Sequence, residues 1–157
     1  MLSLVDGYTI LKTFHVLFAV IWVGGVVTTN ILGTRVVASK DGSALIRFGR
    51  ETEWVGTHVY LPSTLMVLLF GVLTVLRGHF GFGHAWVIFG LVGIALTAIT
   101  GSTFLGPELK RIAGIAEERG SDHPELLQRV NRLVWISRID LVVLLLVVVD
   151  MVLKPGS

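Results

Sequence analysis

The sequence predicts an all-α membrane protein: a four-transmembrane-helix antiparallel bundle whose helices extend into the cytoplasm. Three observations predict it. Of 157 residues, 53% are apolar and only 15% charged, with a mean hydropathy of +0.79. So little charged surface cannot cover so much hydrocarbon in water. Four apolar runs, about 13–33, 55–76, 85–106 and 134–153, each supply the ~20 residues that cross a hydrocarbon layer ~30 Å thick. The charges gather between these runs.

The first run follows MLSLVDGYTILKTF, where Asp6 stands in place of the basic region a signal peptide needs. No small-residue cleavage site follows, so this helix is expected to be retained. The link 34–54 carries Arg35, Lys40, Asp41, Arg47, Arg50, Glu51 and Glu53. Within it Asp41-Gly42-Ser43 offers a helix start, and Leu45, Phe48, Thr52 and Val55 follow helical spacing into the second run. Pro62, inside that run, removes a backbone donor and frees a carbonyl near His58, which predicts a bend. The link 77–84, RGHFGFGH, is short and glycine-rich.

In the third run Gly90, Gly93, Thr97 and Gly101 form a small-residue stripe that admits a close neighbour. Pro107 and Gly120 bracket PELKRIAGIAEER as a short helix of its own. Asp122-His123-Pro124-Glu125 reads as a capped start leading through Leu126 and Val130 into the fourth run. The second and fourth helices are expected to extend well below the membrane. The whole chain, 1–157, reads as one integral membrane domain without an internal repeat.

Charge gives the orientation. With four crossings, the first and third links share a side that holds Arg35, Lys40, Arg47, Arg50, Lys110, Arg111, Arg119, Arg129 and Arg132, with Arg138 just inside the last run. The other side holds only Lys12, Arg77 and Lys154. The positive-inside rule places the long links in the cytoplasm and both termini outside a plasma membrane. The pI near 9.3 suggests nucleic acid, but a net charge of +2 is too small for that partner; the expected partner is the lipid bilayer. The absence of cysteine excludes disulfides, thiolate metal sites and covalent c-type haem. No glycine-rich phosphate loop, HExxH motif or serine elbow is present.

Ionisable groups inside apolar runs are costly and mark candidate sites. Here they are His15, His58, Arg138, Asp140 and Asp150. Counted from helix midpoints, His15 and Asp150 lie ~9 Å to the outer side, His58 ~12 Å inward and Asp140 ~5 Å inward. His15 and His58, ~20 Å apart along the membrane normal on that rise, do not ligate one metal.

Two groupings follow. The outer one pairs His15 with Asp150, near His79 and His84. It reads as a proton pair, as a haem ligand through neutral imidazole, or as a hydrogen bond pinning two helices. His15, Trp22, Val26, Thr29 and Gly33 share one face of the first helix, and Trp22 is deep enough to wall a cofactor. Trp54, Trp86 and Trp135 sit at run ends, where aromatic belts form. The inner grouping, a polar pocket, joins Asn30, His58 and Asp140, because Arg138 can snorkel outward and leave the acid facing in. Its bland reading is interhelical hydrogen bonding by Thr and Ser.

Lys12-Thr-Phe-His15 followed by Ile21-Trp22-Val-Gly24-Gly25 resembles the first helix of a loose superfamily of small bacterial membrane proteins. It includes HemJ-type protoporphyrinogen oxidase, the copper-resistance D-type proteins, and an uncharacterised family of predicted integral membrane proteins. The last also resembles this chain in Arg138-x-Asp140 and Met151-x-x-Lys154-Pro155. The HemJ resemblance implies b-type haem on His15. This chain departs from that branch at Trp86-Val-Ile-Phe-Gly90 and at Ser137-Arg138-Ile-Asp140, which argues against porphyrinogen oxidation. Copper transport is unsupported, because Met1, Met66 and Met151 do not cluster with the histidines.

Two functional expectations stand. One is b-type haem binding for electron transfer or haem handling, with His15 as an axial ligand and His79 or His84 as the second. The other is a small transporter, or an accessory subunit of a larger membrane complex, acting without catalysis and as a homo-oligomer or in that complex. Neither expectation fixes a catalysed reaction.

Overall fold

Four helices account for almost the whole chain. The computed structural model describes residues 6–120 and 123–155, and among them no strand occurs. The helices are α1 (Gly7–Ser39), α2 (Gly42–Arg77), α3 (Ala85–Arg119) and α4 (Pro124–Leu153). The first three are long and apolar enough to cross a membrane. α4 is as long as a crossing needs, at 30 residues, but carries Arg138, Asp140 and Asp150 along its length.

Local chemistry sets the ends. Asp6 caps α1 by accepting from the Thr9 amide at 2.8 Å, and Lys40 closes it in the left-handed region, φ 54°. Asp41 opens α2 by accepting from the amides of Ser43 and Ala44, at 2.9 and 3.2 Å. The Ser43 hydroxyl and these amides hold its carboxyl below the ordinary aspartate range. Gly120, at φ 85°, stops α3. His123 caps α4 through its ring nitrogen, 3.3 Å from the Glu125 amide. Asp122, expected in that cap, lies outside the described residues, as does Met1.

One expectation is corrected. PELKRIAGIAEER is no separate helix, because α3 runs without a break through Pro107. The chain absorbs the missing donor by widening to a π-turn over Thr100–Leu105, where the Gly106 amide reaches back five residues to the Gly101 carbonyl. α2 does the same before Pro62. A π-turn over Gly56–Tyr60 hands the Leu61 amide to the Gly56 carbonyl. Proline here widens its helix and does not end it.

The four helices pack in a ring, each against its two neighbours, and the side-chain contacts run antiparallel. Along α1 and α2, Gly33 meets Phe48, Gly25 meets Tyr60, Gly71 meets His15 and Gly7 meets Arg77. Along α3 and α4, Gly93 meets Val147 and Gly90 meets Met151. These glycines let backbones approach in a solvent that gives little hydrophobic drive.

Three apolar layers stack along the bundle. Trp22, Val67, Ile94 and Leu144, one from each helix, form the central layer. Val75, Trp86 and Val87 form a layer at the end where α1 begins and α4 finishes. Ile112, Ala116, Leu126 and Val130 form the third, where the helices extend beyond the apolar runs. Trp86, expected in an interfacial belt, is buried at 5% exposure, whereas Trp54 and Trp135 lie open. Its place beside Val75 and Phe80 decides this against its position near a helix end.

Candidate functional site

Between the central layer and the third one the bundle holds a partly open cavity of about 640 Å³. Trp22 and Val26 of α1, Thr64 of α2 and Thr97 of α3 close its deep end. Ile112, Leu133 and Val134 line the opposite end. Both π-turns border it, through Gly56 and Tyr60 on one side and Gly101 and Ser102 on the other. The extra residue in each turn pushes the helix path outward at one level, and the space lies at that level.

Polar groups cluster halfway along. The Asn30 amide nitrogen donates to the Val26 carbonyl at 3.1 Å, and its oxygen lies 3.2 Å from the Ser137 hydroxyl. Tyr60 and Thr29 share a hydrogen bond between their hydroxyls. The Tyr60 ring occupies the space left by Gly25, where a methyl group would lie 2.6 Å from a ring carbon. Asp140 lines the same wall, while Arg138, two residues away, lies exposed and reaches Thr34 at 3.4 Å. Nearer the charged links, Lys110 pairs with Glu53 at 2.9 Å.

Two of the three residues expected in the inner pocket therefore line the cavity, Asn30 and Asp140. His58 does not. Its ring lies exposed, stacked on Trp54 at 4.7 Å between centroids, with Nδ1 3.0 Å from the Trp54 carbonyl. Tyr60, two residues on, points inward because Gly25 receives it, and His58 is left on the outer face. Sequence reasoning missed Tyr60, Glu53 and Lys110. The available signal was the pair of prolines, Pro62 and Pro107, each two residues past the end of its π-turn.

The outer candidates are not brought together. His15 donates Nδ1–H to the Val67 carbonyl at 2.9 Å, since a carbonyl can only accept. Its ring packs on Gly71, where a methyl group would come within 3.0 Å. That bond leaves Nε2 with its lone pair, the tautomer an axial ligand needs. His79 is exposed, borders a small cleft with Leu11, Leu73 and Arg77, and has φ 54°. His84 stands just before α3, 6.5 Å from the Trp86 ring. None of the three histidines lines the large cavity, whereas Trp22 does. Asp150 makes no hydrogen bond to His15; its Oδ2, like Trp86 Nε1, is buried without a partner among the described residues. Among the described residues no group of three or more His, Asp or Glu side chains converges as a metal-ligand set.

Residues 9–155 match the model of the family described as "Predicted integral membrane protein (DUF2269)". The chain belongs to this family. DUF2269 membership makes it an integral membrane protein and supports the uncharacterised-family part of the sequence resemblance. It adds nothing for the HemJ-type or copper-resistance D-type groups. No curated protein and no solved structure matches this DUF2269 chain.

Proposed function

We propose that this protein is a four-span plasma-membrane protein that binds a small amphipathic molecule in the cavity, as a carrier or a binding subunit. The long links 34–54 and 107–133 face the cytoplasm and both termini face out, as the ten-to-three division of the 13 Lys and Arg residues indicates. α4 is then the fourth crossing, its charged side chains turned to the bundle or to the interface. One observation carries the reading: a space of about 640 Å³, within the range of small-molecule sites, with apolar walls and a few convergent polar groups.

The test narrows the space without disturbing its walls. Gly101 borders the cavity, and a Cβ added there meets nothing within 4 Å. Gly101→Leu also improves helix propensity. The variant is expected to fold as the parent does and to lose binding of hydrophobic fluorescent amines added to the purified protein. Unchanged binding would end the cavity reading.

A second reading, b-type haem on His15, draws on the Nδ1–H bond to Val67 that leaves Nε2 free. A haem there would need α1 and α2 to part around Gly71, because the large cavity begins at Trp22, two helical turns away. A Soret band in the purified protein that disappears in His15→Ala would place haem ahead of the cavity ligand.

A further inference from the structure

We propose that the cavity selects an organic cation, an amphipathic amine or ammonium whose charge is met by Asp140. The inference rests on the cavity being a ligand site and names the class of ligand. Charge is the first argument. Three charged side chains line the wall, Glu53, Lys110 and Asp140. Glu53 and Lys110 neutralise each other at 2.9 Å. The Asp140 carboxylate has no hydrogen-bond or ion-pair partner among the described residues, and Arg138 lies exposed with its guanidinium by Thr34. A carboxylate half-buried among hydrocarbon without a partner is costly, and a cation entering beside it removes that cost.

Hydrogen-bond polarity is the second argument, and it is independent of the first. A hydroxyl carries one proton and two lone pairs. On this wall Thr34, Thr57, Thr64, Thr97 and Ser102 each donate that proton to a carbonyl of their own helix, at 2.8–3.1 Å. What they present to the cavity is lone pairs. The Asn30 amide spends one N–H on Val26 and the Tyr60 and Thr29 hydroxyls spend one proton on each other. Thr52 and one of the Tyr60–Thr29 pair keep a proton, and Lys110 is held by Glu53, so acceptors outnumber free donors on this wall. An ammonium, with up to three donors and no acceptor, complements it; a carboxylate or phosphate does not. Trp22, Val26 and Leu133 supply the apolar surface for the rest of the molecule.

The experiment uses dansylcadaverine, a primary amine, and its N-acetyl derivative, which has the same fluorophore and chain without the charge. Both are titrated into the purified full-length protein in detergent, with dansyl emission as the readout and Gly101→Leu as the blank. The amine is expected to bind at least about thirtyfold more tightly than the acetylated probe, the factor a desolvated charge pair commonly gives. Asp140→Asn should bring the two probes level by weakening the amine alone. Asp140→Glu should keep the preference, which guards against a misfolded Asn variant. Equal binding of the two probes to the parent protein, or a preference that survives in Asp140→Asn, overturns the cation inference and leaves the cavity reading standing. Binding of neither probe overturns both.

Discussion

Arg129 shows how a single side chain holds the third apolar layer to its surroundings. Its guanidinium donates to Glu108 at 2.8 Å and to Glu125 at 3.0 Å. Glu108 is 5% exposed, so it is the buried member of the group. Its hydrogen bonds to Glu108 first, then to Glu125, hold the guanidinium above its ordinary value, and the Arg129 bond holds Glu125 below the usual carboxylate range. Arg129→Leu leaves the buried Glu108 carboxylate only the longer contact with Arg111 at 3.8 Å, and a clear fall in the thermal unfolding midpoint is expected. Arg50→Leu breaks only the exposed pair with Glu117 at 3.1 Å, worth roughly 0–1 kcal/mol, and should leave the midpoint nearly unchanged. The sign with pH follows. Because the folded Glu125 binds its proton less readily than the unfolded one, its contribution is complete above pH 4.5 and is lost as pH falls through the lower folded value. Thermal scans of both variants between neutral pH and mild acid check each point.

At the scale of helices, glycine contacts differ in how much they forgive. A Cβ at Gly93 would lie 2.2 Å from Cγ2 of Val147, a β-branched side chain fixed close to the α4 backbone. At Gly90 the nearest atom, 1.9 Å away, is the terminal methyl of Met151, which can swing aside. Gly93→Ala is therefore expected to destabilise the bundle by about 1–3 kcal/mol and Gly90→Ala by much less, as unfolding in a graded denaturing detergent would measure. That stripe was legible from spacing alone, as were the apolar runs, the Asp41 cap and the Gly120 stop, because each depends on neighbours within one turn. The unbroken passage through Pro107 was not legible. A proline reads locally as a terminator, and only the i to i+5 bond from Gly106 to Gly101 shows the turn widening around it. The exchange of Tyr60 for His58 on the cavity wall was hidden for the same reason. The ideal 100° step fails across a π-turn, and the space at Gly25 that receives Tyr60 comes from a helix more than thirty residues away. Asn30 and Asp140 were legible because helix depth and the outward pull on Arg138 place them without any knowledge of register.

For the whole molecule, the outward faces carry the membrane argument. Val20, Ile99 and Val142, from three different helices, are each more than half exposed, a surface suited to lipid and not to water. The charged residues collect where α2, α3 and α4 extend beyond that belt, with ion pairs linking α2 to α3 and α3 to α4. A tag placed after Ser157 is expected to be cut by protease added to intact cells, and a tag in the stretch 121–122 to be cut only after lysis. The reverse pattern would invert every depth assigned to the polar groups. The two widened turns have an evolutionary consequence. Each is one residue of surplus in an otherwise regular coil, so a single lost codon at either would tighten that helix and rotate its charged arm by about a quarter turn relative to its apolar part. Relatives that keep the same apolar lengths but lack the surplus would share this architecture with the hollow closed.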